Sequence, residues 1–176
     1  TSSSFCSAQT SGYFEGMGTP GSSNICGAIC REDDGMRGSI APAVGQLVIT
    51  EIFANPSGSD AGRDWVEVYN AGEDVFDLNG LVVRADKISG GDNDWGIAAD
   101  RCLGVAPGDF AVIGGDSAAT EGVPVTAEIG AGTLFYGSDL VMSIELEDGT
   151  IVDRAAGPFT PTSGASLSLD GALADA

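Results

Sequence analysis

The sequence predicts an all-β protein built as a sandwich, and three observations predict it. Glycine accounts for 27 of 176 residues while charged residues make up only 19%, a balance that suits strands joined by tight turns better than helices. Short β-rich runs recur at roughly ten-residue spacing between turn signals. No stretch of useful length carries the 3.6-residue apolar period of an amphipathic helix.

The chain divides into two parts. Residues 1–45 form a loop-rich arm: Thr1-Ser2-Ser3-Ser4 and the Gly18–Asn24 stretch have turn composition, and Phe5, Tyr13, Phe14, Met17, Ile25 and Ile29 are spaced like anchors onto another surface. Residues 46–176 form the sandwich. Leu47–Ala54 is a nearly continuous strand run, closed by Asn55-Pro56-Ser57-Gly58. Trp65–Asn70 alternates, with Val66 and Val68 on one face and Trp65, Glu67 and Tyr69 on the other. Leu81-Val82-Val83 follows an Asn79-Gly80 turn, and Phe110–Ile113 follows the turn Ala106-Pro107-Gly108-Asp109. Leu140, Met142, Ile144 and Leu146 share a face of the next strand, against Val141, Ser143, Glu145 and Glu147. Asp148-Gly149 joins it to Thr150-Ile151-Val152 as a hairpin, and Ala165–Leu169 makes a last short strand. There is no internal repeat.

Composition narrows the chemistry. Hydrophobic residues at 43% are too many for a disordered acidic tail, and no apolar run reaches the roughly 18 residues of a transmembrane helix. The chain has 26 acidic residues against seven basic ones, a net charge of -19, and no histidine. That last zero excludes a Ser-His-Asp triad, a Cys-His pair, a His-ligated zinc and a His general base within the chain. With one lysine and six scattered arginines, phosphate neutralisation is weak and nucleic acid is not an expected partner. Crowded carboxylates repel one another and could attract cations that relieve this; a purely solubilising surface is the favoured reading.

Cys6, Cys26, Cys30 and Cys102 are an even set. Two disulfides are expected rather than a metal site, since Cys26 and Cys30 lack CxxC spacing and no histidine completes a set. Four cysteines admit three pairings, and the spacing does not choose. An exported protein follows as an expectation. The start at Thr1, with neither methionine nor apolar leader, fits a removed signal peptide or a piece of a longer chain.

The order Leu47-Val48-Ile49-Thr50-Glu51-Ile52, Asn55-Pro56, Asp64-Trp65-Val66-Glu67-Val68-Tyr69-Asn70, Asp77-Leu78-Asn79-Gly80, then Leu103 through Pro107-Gly108 and Val112-Ile113 resembles the lamin tail domain family, in its bacterial, exported branch. The likeness covers roughly residues 46–169, leaving the first 45 residues outside it. It departs at Leu81, where the family often has an aromatic residue. The resemblance implies an immunoglobulin-like sandwich, a structural signature of Glu51, Asn55, Pro56, Trp65, Glu67, Asn70, Leu78, Gly80, Pro107 and Gly108, no catalytic residues, and a role as an interaction module. A fold-level likeness does not fix a function.

Two constellations bear on chemistry. Glu51 and Glu67 sit on adjoining strands and would suit a glycosidase-like acid/base pair. Glu51 is read as sharing a face with Leu47, Ile49 and Phe53, half-buried, and a structural role for both is favoured. Between Asp86 and Asp100, a loop carries Asp86, Asp92, Asp94 and Asp100, and Asp92-x-Asp94-x-Gly96 spaces oxygens as calcium loops do, without the glutamate or helices of an EF-hand. No Gly-x-Ser-x-Gly elbow and no phosphate-cradling loop is present. Trp65, Tyr69, Trp95, Phe135 and Tyr136 would serve a sugar platform or the core and rim.

The expected function is therefore a non-enzymatic structural subunit of an extracellular or cell-surface assembly, fibres included, that self-associates or meets surface proteins through the sandwich and the arm. The alternative is an extracellular binding or adhesion module for protein or carbohydrate, assisted by calcium. No cofactor is required by either, and no membrane span is expected.

Overall fold

The computed structural model describes residues 28–120, 122–130, 135–155 and 157–168. These are all-β, with thirteen strands: β1 (Ile29–Glu32), β2 (Gly35–Gly38), β3 (Leu47–Phe53), β4 (Trp65–Asn70), β5 (Phe76–Asp77), β6 (Leu81–Lys87), β7 (Asp92–Gly96), β8 (Gly104–Val105), β9 (Phe110–Gly114), β10 (Ala127–Glu128), β11 (Leu140–Leu146), β12 (Ile151–Arg154) and β13 (Leu167–Ser168). A five-stranded sheet has the order β10-β9-β4-β3-β13 and a four-stranded sheet the order β12-β11-β6-β7, with two small ribbons, β1-β2 and β5-β8. All pairings are antiparallel except β9 with β10.

One apolar core joins the two large sheets. Leu47, Ile49, Ile52, Val66, Val68 and Ile113 from the first meet Leu81, Val83, Leu140, Met142 and Ile144 from the second. β4 supplies the clearest alternation, with Val66 and Val68 inside and Trp65, Glu67 and Tyr69 half-exposed, as its sequence predicts. The β11–β12 hairpin forms as expected, its turn closed by Gly149 at φ 85°.

β3 departs from the period-2 reading. Ile49 pairs with Val68 and Glu51 with Glu67, so Thr50 is an extra residue, a bulge. The bulge moves every later side chain of β3 to the opposite face from a regular strand. Ile52 therefore points into the core. Glu51 and Phe53 face outward instead of sharing a face with Leu47 and Ile49. The Ile49 N–H at the bulge donates to Asp153 Oδ2 on β12 at 2.7 Å, and Gly45 N–H donates to the Val152 carbonyl at 3.3 Å. These bonds join the two sheets along one border.

Two further expectations change. The segment between Asp86 and Asp100 is a hairpin rather than a loop: β7 pairs with β6, and Gly90 and Gly91 turn the chain at φ 105° and 127°. Val141, Ser143 and Glu145 are buried although their face of β11 reads as the polar one. Glu145 is accommodated by Arg84 Nε at 3.1 Å and the Ser143 hydroxyl at 2.9 Å, as a buried carboxylate requires. Its proximity raises the Arg84 guanidinium above its ordinary range.

The described part of the expected arm packs onto the chain's own sandwich. Cys30 is fully buried and disulfide-bonded to Cys102. Arg31 N–H donates to the Asp100 carbonyl at 2.7 Å, and Cys102 N–H to the Arg31 carbonyl at 3.1 Å. Asp77, fully buried, accepts both Arg37 Nη groups and the Ile40 N–H at 2.7 Å. Residues 1–27, with Cys6 and Cys26, lie outside the described residues.

Candidate functional site

The outer face of the five-stranded sheet follows from register. Across β3, β4 and β9 the outward neighbours are Phe53, Trp65 and Gly114, then Glu51, Glu67 and Val112, then Val48, Tyr69 and Phe110. Phe53 and Trp65 stack with ring centroids 5.6 Å apart, and Tyr69 and Phe110 tilt together at 4.9 Å. Phe110 is 57% exposed, and the other aromatics are half-buried. Aromatic pairs thus flank a central row in which two carboxylates stand directly opposite each other. Like charges in that arrangement are unfavourable. Thr50 offsets part of this, its hydroxyl donating to Glu67 Oε1 at 2.7 Å, which only the bulge permits. The pair sits in an open row of a sheet surface, and both residues are half-exposed.

At one end of this face, Phe53, Trp65, Arg63, Thr120 and Ser166 line a cleft of about 300 Å³. Arg63 Nη1 donates to the Ser57 and Ser59 carbonyls at 2.8 and 3.2 Å, bracing the loop on that side. Stacked rings beside hydroxyl and guanidinium donors can hold a polar ring such as a pyranose.

A second groove, about 510 Å³, lies over the disulfide and is lined by Arg31, Asp33, Asp34, Arg37, Val75 and Arg101, among others. Arg37 is engaged with Glu32 and Asp77, and both carboxylates raise it above its ordinary range. Arg31 and Arg101 are backbone bridge partners, so their side chains leave the chain side by side, and both are exposed.

The four aspartates of the calcium reading occupy different places. Asp92 and Asp94 are exposed on one side of β7, Asp86 is opposite Asp92 on β6, and Asp94 is 3.9 Å from Arg84. Asp100 lies beyond β7, where its carbonyl accepts from Arg31. Among the described residues the one group of three metal-ligating side chains with atoms within 4.8 Å is Cys30, Asp77 and Cys102, and its two sulfurs are bonded to each other. The aspartates do not converge.

The signature residues mainly hold turns. Asn55 Nδ2 donates to the Pro161 carbonyl at 3.0 Å, and its own carbonyl accepts from Gly164 at 2.7 Å; Pro56 beside it is buried. Asn70, fully buried, donates to the Asp74 and Val105 carbonyls and accepts from Gly72. Its backbone also ties down the Pro107-Gly108 turn, with Gly108 N–H to the Asn70 carbonyl at 2.9 Å. Leu78 is in the core, and Gly80, at φ 84°, approaches Ala28 so closely that a Cβ would meet the Ala28 Cβ at 2.9 Å. Glu51, Glu67 and Trp65 belong instead to the exposed face. Sequence reasoning missed Asn79, which is buried and makes three hydrogen bonds to residues 99–103. It also missed Phe53 and Phe110 as partners of Trp65 and Tyr69, although their alternation within strand runs was a usable signal. Trp95 and Phe135 meet edge to face at 5.8 Å in and against the core, and Tyr136 lies under Lys87.

The Cys30–Cys102 disulfide is compatible with an oxidising setting, and among the described residues no helix is long and apolar enough to cross a membrane. No protein-family model matches the chain, and no curated protein matches it.

Proposed function

We propose that the protein is a non-enzymatic subunit of an extracellular or cell-surface assembly, built on an immunoglobulin-like sandwich of the lamin tail kind. The observation that carries this reading is the outer face of the five-stranded sheet. A solvated face of an antiparallel sheet is ordinarily polar; this one sets Phe53, Trp65, Tyr69 and Phe110 around two carboxylates. Aromatic residues are enriched at interface cores and dominate their energetics. The disulfide supports the exported location. Sedimentation velocity on the full chain, from micromolar to several hundred micromolar, tests the reading. Concentration-dependent association that Phe110→Asp weakens supports it, and a monomer across the whole range ends it.

The cleft beside Phe53 and Trp65 favours a second reading, a carbohydrate-binding module. Glycan binding that Trp65→Ala removes, in a protein that stays monomeric, would put this reading first.

A further inference from the structure

We propose that copies associate head to tail, with Arg31 and Arg101 of one chain engaging Glu51 and Glu67 of the next. This rests on the assembly reading and names its contact.

The arginines of the described residues have distinct tasks. Arg37 serves Asp77 and Glu32, Arg84 serves Glu145, and Arg63 braces the Ser57–Ser59 loop. Arg31, Arg101 and Arg154 are exposed and, among the described residues, in no ion pair and no side-chain hydrogen bond; of these three, Arg31 and Arg101 are bridge partners of each other. On a chain of net charge -19, two neighbouring arginines that form no ion pair, although Glu32, Asp33 and Asp34 line the same groove, remain available to carboxylates of another molecule. Arginine forms its strongest contacts as a bidentate fork on carboxylates, and two adjacent forks fit two adjacent carboxylates.

The outer sheet face offers that arrangement. Arg31 and Arg101 are bridge partners on neighbouring chain segments, and Glu51 and Glu67 are directly opposed on neighbouring strands. Each pair thus joins neighbouring backbone segments, the arginines across a parallel bridge and the glutamates across an antiparallel pair beside the bulge. Each pair repels itself when alone, and docking one on the other relieves both. Trp65 and Tyr69 lie two residues either side of Glu67 on the same face, positioned to stack on incoming guanidiniums. Asp33 and Asp34 line the arginine groove, which lowers its appeal to an extended polyanion while leaving the two forks open to discrete carboxylates.

Symmetry follows from charge. Two copies meeting face to face through the five-stranded sheet would oppose four glutamates, whereas the arginine pair lies elsewhere on the chain. The contact is heterologous, and repeated heterologous contacts build rings where the rotation closes and open chains where it does not.

The test uses sedimentation velocity on three full-length proteins: wild type, Arg31→Glu with Arg101→Glu, and Glu51→Gln with Glu67→Gln, each checked for native circular dichroism. The wild type is expected to form oligomers that shrink as salt rises, because exposed ion pairs are screened. Each double variant alone should associate about tenfold or more weakly. An equal mixture of the two variants retains one arginine pair and one glutamate pair, so it should stop at a dimer. If the wild type assembles and the arginine variant assembles equally well, or the mixture gives no dimer, this contact is wrong while the assembly reading stands. A wild type that stays monomeric overturns both.

Discussion

Replacing Cys30 and Cys102 by alanine opens a cross-link between residues 72 positions apart. In the chain-entropy description a bridge of that span withholds about 15 cal/mol/K from the unfolded ensemble, about 4.4 kcal/mol at 25 °C. The native side of the change is small. The β1–β2 hairpin keeps its bonds from Arg31 to Asp100, from Cys102 to Arg31 and from Arg37 and Ile40 to Asp77. The fold should therefore survive with its unfolding midpoint lowered. At a urea m value of about 2 kcal/mol/M the midpoint falls by about 2 M, and the melting temperature falls by about 10–15 °C. Urea titrations of wild type and variant under non-reducing conditions, followed by tryptophan fluorescence, measure both. A midpoint within about 0.5 M of wild type at equal m would refute the loop-closure reasoning. A large drop in m would refute its other half, the claim that the hairpin stays docked.

Three more changes follow from the same contacts. Arg37→Met strands the buried Asp77 carboxylate with one N–H partner, and because Arg37 is itself 28% exposed the loss should sit near about 2–3 kcal/mol in urea unfolding; Asp77→Asn in the same chain should recover part of it, and full additivity would deny the pairing. Gly115→Ala puts a Cβ 2.5 Å from the Gly62 carbonyl oxygen, backbone that cannot swing aside, so a loss of about 1–3 kcal/mol is expected and an unchanged melting curve would contradict the close approach. The Asp148 carboxylate accepts from the Thr150 side chain, and with it from the Thr150 N–H at 2.9 Å, and is thereby held below the ordinary 3.8. Its support for the β11–β12 turn is thus complete above that ordinary value and fades as pH falls through the lower folded one. An NMR titration placing its midpoint at or above 3.8 would reverse the assignment.

The sequence by itself determined the class of this protein: an all-β chain whose β4 alternation, Asp148-Gly149 hairpin and Pro107-Gly108 turn are local properties, written in neighbouring residues. The same holds for the absence of histidine and for the apolar residues that became the core. Only tertiary structure decided which way the side chains of β3 face beyond Thr50. The bulge is held by Asp153, 104 residues away, and by the hydroxyl bond to Glu67, and no local pattern announces a partner at that distance. β7 escaped notice for a related reason. Asp92-Asn93-Asp94-Trp95-Gly96 has no apolar alternation, and it is a strand because β6 offers it a ladder. The two surface pairs are the extreme case. Arg31 and Arg101 are 70 positions apart, Glu51 and Glu67 sixteen, and each pair exists only because long-range register sets one residue beside the other.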